Sequence, residues 1–514
     1  MDVERPDHRR HVGLVRRLVR REAHVPIDPE DLGRTEHGRQ LGGQLLHRSP
    51  HLGLVLFPVR LEEALGVVDL ETSEEADEVT FPSFERHGQG IVRQGRGGHV
   101  ILRRNPEFLK LWSGQAISAF GTRITGVALP LAAVLVLHAT PAQMGVLGAL
   151  GVLPHLLFGL LAGVWVDRLP RRAIMVAADV GRGVVLGAVP ALAGLGLLRV
   201  EHLYAVVFLT GLLTMLFDTA ATSLMPALVG RENLVRANGA WVLVNTVAGT
   251  GGPSLAGWLV QVLTAPVAIA FDALSFLLSA GCTLLVRVRP APRPAGRVRL
   301  GPEMVDGLRV LFGSPLLRPL TIAATLGALA GAVQGALVVL YLVRGLGLTP
   351  ALVGLAFGVA GAASVVGALV ARWFGERAGV GAAFVTGQLL FGVSVLLLAA
   401  AAGPPAAVVV ILLLAMVLGG AGPPFYQVHQ VSLRQGLTPD HVLGRVNAAW
   451  RFLVFGVQAL GAALGGVLGA WVGLRPTLVV SGLGVLVAFL FVVRSPLRSL
   501  REMPSRPGEA PSVV

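Results

Sequence analysis

The chain has 514 residues, of which 53% are apolar and only 14% charged, and its mean hydropathy is +0.69. That balance is too apolar for a soluble globular domain and points to a polytopic membrane protein. A formal net charge of +13 invites a nucleic-acid reading, but the arginines sit in short segments between long apolar runs, where orientation in a bilayer accounts for them. Cys282 is the only cysteine, which excludes a disulfide framework and a cysteine-held metal. Lys110 is the only lysine beside 42 arginines, the usage of a high-GC, bacterial genome.

Residues 1–104 differ in kind from the rest. They hold 17 of the 30 acidic and 16 of the 43 basic residues, eight of the 13 histidines, and neither a sustained periodicity nor a signal-peptide core. Two readings stand: a regulatory or metal-binding extension, or a poorly structured, spurious stretch ahead of a later start such as Val92 or Val100.

From Asn105 onward, twelve runs of roughly 20 apolar residues follow one another, the length that crosses ~30 Å of hydrocarbon. They are expected at 111–137, 143–166, 173–198, 203–229, 238–262, 264–286, 319–343, 350–371, 379–401, 404–428, 446–473 and 476–493. Alternate loops hold three basic residues (Arg199, Arg344 and Arg475), whereas the other loops and the two ends hold 24 counted from Arg103. The excess assigns both termini to the cytoplasm.

Charges inside such runs cost ~3 kcal/mol each at a helix centre and so mark function. Arg123 in the first run lies about 18 Å deep at ~1.5 Å per residue, facing a cavity or snorkelling to a surface. Between the second and third runs stands Gly163-Val-Trp-Val-Asp167-Arg168-Leu-Pro170-Arg171-Arg172. Its four charges in six residues read as a tight cytoplasmic turn. Asp179 and Arg182 are three apart on the third run and can pair along one face. With Asp218 of the fourth run they lie roughly 9–14 Å from the same end. They form either a conformational latch or, through Asp179 or Asp218, a site for a coupling proton. Asp272 of the sixth run is expected nearer the other end.

The fifth run contains Ala248-Gly-Thr-Gly-Gly252-Pro253-Ser-Leu-Ala256-Gly257. Small residues admit a partner helix closely and Pro253 removes a backbone hydrogen bond; ordinary glycine-mediated packing is the alternative. A basic connector, 287–318, then separates six runs from six. Within it, apolar residues at 304, 305, 308, 311 and 312 predict a short amphipathic helix on the inner surface. Arg236-Ala-Asn238-Gly-Ala-Trp241 and Arg445-Val-Asn447-Ala-Ala-Trp450 recur 209 residues apart, as do Gly252 with Gly461 and Gly257 with Gly466. The two halves therefore read as a parallel duplication. His429 and His441 are expected to be interfacial and solvated. No phosphate loop or nucleophile–base pairing is present, so the chain reads as neither an ATPase nor an enzyme.

The 163–172 string resembles the signature loop between helices 2 and 3 of the major facilitator superfamily, with Pro170 where that family usually has glycine. The 248–257 stretch resembles the antiporter signature of its drug-exporting members, with alanine at 248 and 256. Phe271-Asp-Ala-Leu-Ser-Phe276, Phe217-Asp218 and Leu224-Met-Pro226 resemble the macrolide-efflux and enterobactin-exporter branch. The resemblance, covering about Asn105 to Arg498, implies an all-α polytopic membrane protein of twelve transmembrane helices in two six-helix bundles, 105–286 and 319–494, with a cytoplasmic tail at 495–514. It implies export of an amphiphilic small molecule, a drug or siderophore-like metabolite, by proton antiport. The proton is then the coupling ion, with no other cofactor and no metal. The partners implied are the lipid bilayer of a bacterial inner membrane and the cargo, with no nucleic acid, and the unit is a monomer. Gly163, Asp167, Arg168, Arg171 and Arg172 are then gating residues, and Gly252, Pro253 and Gly257 press on a helix of the second half to seal the inner side. The arginine-bearing fourth-helix motif of many proton-coupled carriers is missing, which loosens the tie to protons. A solute uptake permease and a non-transporting sensor or scaffold remain alternatives.

Overall fold

The computed structural model describes residues 105–287 and 300–500, apart from the side chains of Leu160, Val164, Asp167, Arg231, Leu300, Gly301, Pro302 and Asp440. The readings made for residues 1–104 and for the tail beyond 500 lie outside the described residues. Those described are almost entirely helical: α1 (Pro106–Leu135), α2 (Pro141–Arg168), α3 (Arg171–Gly194), α4 (Val200–Val229), α5 (Leu234–Val262), α6 (Ala265–Leu284), the short α7 (Leu300–Gly313), α8 (Leu317–Leu340), α9 (Pro350–Ala378), α10 (Val380–Ala400), α11 (Pro405–Leu437), α12 (Asp440–Trp471) and α13 (Leu474–Val493).

Local chemistry sets the helix starts. Asn105 caps α1 by accepting from the amides of Glu107 and Phe108 at 3.2 and 3.1 Å, and its own amide donates to the Leu228 carbonyl at 3.0 Å. Thr140 and Gln143 form a reciprocal capping box on α2. Proline opens α1, α2, α9 and α11, where its missing N–H costs nothing. A single residue, Gly379 at φ +93°, links α9 to α10, a conformation that favours glycine.

Eleven of these helices are long and apolar enough to cross a membrane. All twelve expected runs fall largely within helices, but α5 does not reach that hydropathy, because Arg236, Asn238, Asn245 and its glycines dilute the apolar residues. The connector helix is longer than the 303–312 expected. It docks on α12, with Gly307 against the Arg445 carbonyl and Asp306 within 3.5 Å of Arg445 Nη1.

The packing repeats across the chain. In the first set α1 packs on α5 and α6, α3 on α4 and α6, and α2 on α4; in the second, α8 packs on α12 and α13, α10 on α11 and α13, and α9 on α11. Two pairings join the sets in the same crossed sense, α2 with α12 and α5 with α9. Small residues carry both junctions. A Cβ at Gly145 would lie 2.5 Å from the Gly466 Cα, and one at Gly257 would lie 2.7 Å from the Gly354 Cα, so the backbones touch. Gly145 and Gly466 lie within about 8 Å of the α1–α2 and α12–α13 turns at 1.5 Å per residue, as Gly257 and Gly354 do of the α5–α6 and α8–α9 turns. The two sets are therefore fastened at the end opposite the α2–α3 turn.

Candidate functional site

Toward the α2–α3 end the sets part and enclose cavities. The largest, about 610 Å³, is lined mainly by α8, α10, α11 and α12, including Gln388, Phe391, Tyr426 and Trp450. A second of about 360 Å³ lies among the first-set helices and is lined by Thr122, Thr125, His155, Arg182 and Asp272. Gly148 of α2 and Gly335 and Ala336 of α8 line both, so the two abut where the sets meet. A third, about 520 Å³, opens below them between α2, α4, α11 and α12.

Polar chemistry in the first set centres on Arg182. Its guanidinium is paired with Asp179 in the buried interior, Arg182 being 4% exposed and Asp179 0%. Phe276 and Phe217 hold it on either side, their ring centroids 4.0 and 4.7 Å from Cζ, and Thr214 Oγ1 accepts from it at 3.4 Å. Asp218 lines one cavity together with Arg182, and Asp272 another. Asp272 stands in the half of α6 nearer the other end, as expected, yet because α6 packs on α3 and α1 it lines the 360 Å³ cavity together with Arg182; Ser275 Oγ donates to its carboxylate at 3.1 Å. Arg182 is thus paired with Asp179 and shares its cavities with two further carboxylates.

Arg123 and Asp218 line a separate cavity of about 210 Å³, together with Arg182, Trp241 and Asn245. Gly252 belongs to this neighbourhood. A Cβ there would meet the Arg123 Cβ at 2.5 Å, so Gly252 seats an arginine of α1 rather than a helix of the second set. Gly257 does meet the second set, through Gly354. That contact lies at the end opposite the α2–α3 turn, so in this conformation the 248–257 stretch fastens the other end from the one expected. Pro253 is buried within α5.

The expected loop at Asp167–Arg172 is only Leu169–Pro170, because α2 runs through Arg168 and α3 begins at Arg171. The side chain of Asp167 lies outside those described. Arg168 is exposed. Arg171 donates to the Ser223 carbonyl of α4 at 3.1 Å, and Arg172 to the carbonyls of Thr283, at 3.3 Å, and Leu284 at the last turn of α6. Cations there complement the carbonyls that a helix end leaves unpaired. Around Gly163 nothing stands within 4 Å of where a Cβ would be.

A polar site in the second set escaped the sequence reading. Arg434 of α11 is 8% exposed, its Nε donates to Asn447 Oδ1 at 3.0 Å, and its Cζ lies 4.6 Å from the Trp450 ring centroid. The 209-residue repeat had singled out Asn447 and Trp450. Their partner lies beyond the run expected at 404–428, because α11 continues to Leu437. His429, expected in solvent, is buried on the same helix: Gly375 makes room for its ring, and Nδ1 lies 2.9 Å from the Phe425 carbonyl.

Residues 102–513 match the family described as transmembrane secretion effectors. The enterobactin exporter EntS of Citrobacter koseri is 28% identical over 427 residues, covering 80% of this chain and 97% of that protein. The fold is shared with a bacterial homologue of the iron transporter ferroportin in its inward-facing state, at TM-score 0.61 and 18% identity over 76% of this chain and 98% of that one. It is shared also with the nucleoside transporter NupG, at TM-score 0.59 and 15% identity over 75% and 98%.

Proposed function

Because the chain belongs to the transmembrane secretion effector family, as a major facilitator transporter of the EntS-like branch and not an enzyme, we propose that it exports an amphiphilic small molecule from a bacterial cytoplasm by alternating access, driven by inward proton movement. Twelve helices cross the membrane in two six-helix bundles, with α5 held in the bilayer by its neighbours despite its lower hydropathy. The recurring packing within α1–α6 and α8–α13 supports that reading. The basic α2–α3 end faces the cytoplasm, in keeping with the arginine excess on that side. The conformation is then inward-open, fastened outside by its glycine contacts.

One observation carries the proposal: two mainly apolar cavities, one in each helix set, that abut at Gly148, Gly335 and Ala336 where the sets are fastened at one end and parted at the other. Such cavities hold an apolar cargo body and open to the other side when the glycine contacts release. Asp218 is exposed and lines a cavity beside Arg182, a position in which a carboxylate can take a proton and weaken the hold of Arg182 on its partners.

Inside-out membrane vesicles loaded with the full chain test direction and coupling together. Energised vesicles should accumulate amphiphilic dyes or antibiotics, and an uncoupler should stop them. Asp218→Asn should reduce uptake to the uncoupled level while leaving the protein folded. Accumulation in right-side-out vesicles that ignores the uncoupler sinks both the export and the antiport readings.

A further inference from the structure

The third cavity differs from its neighbours in charge. Two arginines, Arg434 and Arg451, line it with His155, Asn447, Gln435 and Thr219, and no carboxylate does so among the described side chains. Arg434 is buried, yet its Nη1 has no hydrogen-bond partner among the described residues. An unsatisfied buried donor is costly and calls for a partner such as water, an ion or a ligand. Its orientation is already fixed, by Asn447 on Nε and by Trp450 against the guanidinium plane. A guanidinium held in this way recognises an oxyanion such as a carboxylate, phosphate or phenolate with little further loss of freedom.

The cavity is also placed to serve cargo. Val431 lines both it and the 610 Å³ apolar cavity, and Trp450 forms wall in the latter while carrying Arg434. His155, whose ring lies 5.0 Å from that of Phe455 across the junction of the sets, lines both it and the 360 Å³ cavity. A molecule with its apolar body in the larger cavity would project a polar end to Arg434 and Arg451.

We propose that the cargo is an anionic amphiphile, whose oxyanion is read by Arg434 and Arg451 while its apolar body fills the cavity above them. This rests on the export reading for its context but not for its test, since binding is measured without a gradient.

The probes are 1-pyrenebutyrate and its neutral methyl ester, which differ only in the anion. Saturable energy transfer from tryptophan to pyrene is followed with the full chain in phosphatidylcholine nanodiscs. The wild type should bind the anion roughly tenfold or more tightly than the ester, the effect of one charge-assisted contact. Arg434→Gln and Arg451→Gln should each bring the anion down to the affinity of the ester, with ester binding unchanged. Arg451 is exposed and makes no hydrogen bond among the described residues, so its variant keeps the test valid should Arg434→Gln misfold. Arg434→Lys should restore only part of the preference. Equal affinities in the wild type, a preference that survives both glutamine variants, or no saturable binding of either probe overturns the proposal. Displacement of pyrenebutyrate by phosphatidylglycerol in the disc would assign the site to a lipid headgroup and overturn the cargo assignment. A preference confirmed in a protein that fails the vesicle test would leave the anion site standing and the export reading fallen.

Discussion

Gly145→Leu should abolish transport in a protein that still folds and inserts. The Cβ alone would stand 2.5 Å from the Gly466 Cα and 2.8 Å from the Ala462 carbonyl oxygen, both backbone atoms of α12. A flexible side chain could move aside; a helix backbone has to be displaced. Overpacking of this kind costs ~1–3 kcal/mol. Set against one of two alternating conformations, it moves their ratio by about 5–150-fold. The clash exists only while α2 and α12 are fastened, so the variant should rest in the alternative conformation. The readout is a cysteine at Ala336, which lines both central cavities, in a Cys282→Ser background. In the parent a membrane-impermeant thiol reagent should reach it from the α2–α3 side, and in Gly145→Leu from the opposite side. Labelling from the α2–α3 side in both proteins would show that the glycine contact is not a gate.

Arg182→Leu should be the most damaging single change in the membrane region. It leaves the buried Asp179 with no cation against it, and removing one partner of a buried pair costs ~3–5 kcal/mol. The yield of folded protein in detergent should collapse. The double change Asp179→Asn with Arg182→Gln removes both charges at similar volume and should recover most of the yield and thermal stability. Vesicle transport then separates scaffold from mechanism. The double variant should stay inactive, because the charge pattern that Asp218 biases is gone. A stable double variant transporting at the parental rate would reduce the cluster to a structural pair.

Much of this architecture was legible in the sequence because membrane helices follow rules of length and hydropathy. The runs from 111–137 to 476–493 lie largely within helices, and the repeat at 236–241 and 445–450 announced the duplicated packing that α1–α6 and α8–α13 display. What the sequence could not convey was azimuth. Depth along a helix is countable, and it put Asp272 nearer the other end; the face it turns toward α3 is not, so the cavity it shares with Arg182 went unseen. Gly252 looked like a contact for the second set, yet its open face receives Arg123 from α1. Arg434 was hidden for a different reason. Its segment is polar enough, with Gln427, His429, Gln430 and Gln435 nearby, to pass for a loop, whereas α11, packed on α9 and α10, is helical through Leu437. Buried His429 was misread on the same account.

The seam at Gly148, Gly335 and Ala336 makes the breadth of accepted cargo depend on a few methyl groups. A Cβ at Gly148 would already sit 3.2 Å from the Ala462 Cβ and 3.5 Å from the Ala336 Cβ, so the passage between the two cavities has almost no spare width. Added bulk there acts as a sieve, leaving each chamber intact and cutting the length of molecule that bridges them. Gly148→Val or Ala336→Val should therefore narrow the spectrum of transported compounds, keeping short ones and dropping elongated ones. Each is also a single-nucleotide change from a glycine or alanine codon. A population under selection by one compound could thus gain or lose others in one step, and competition assays with a graded series of dye lengths would show that drift directly.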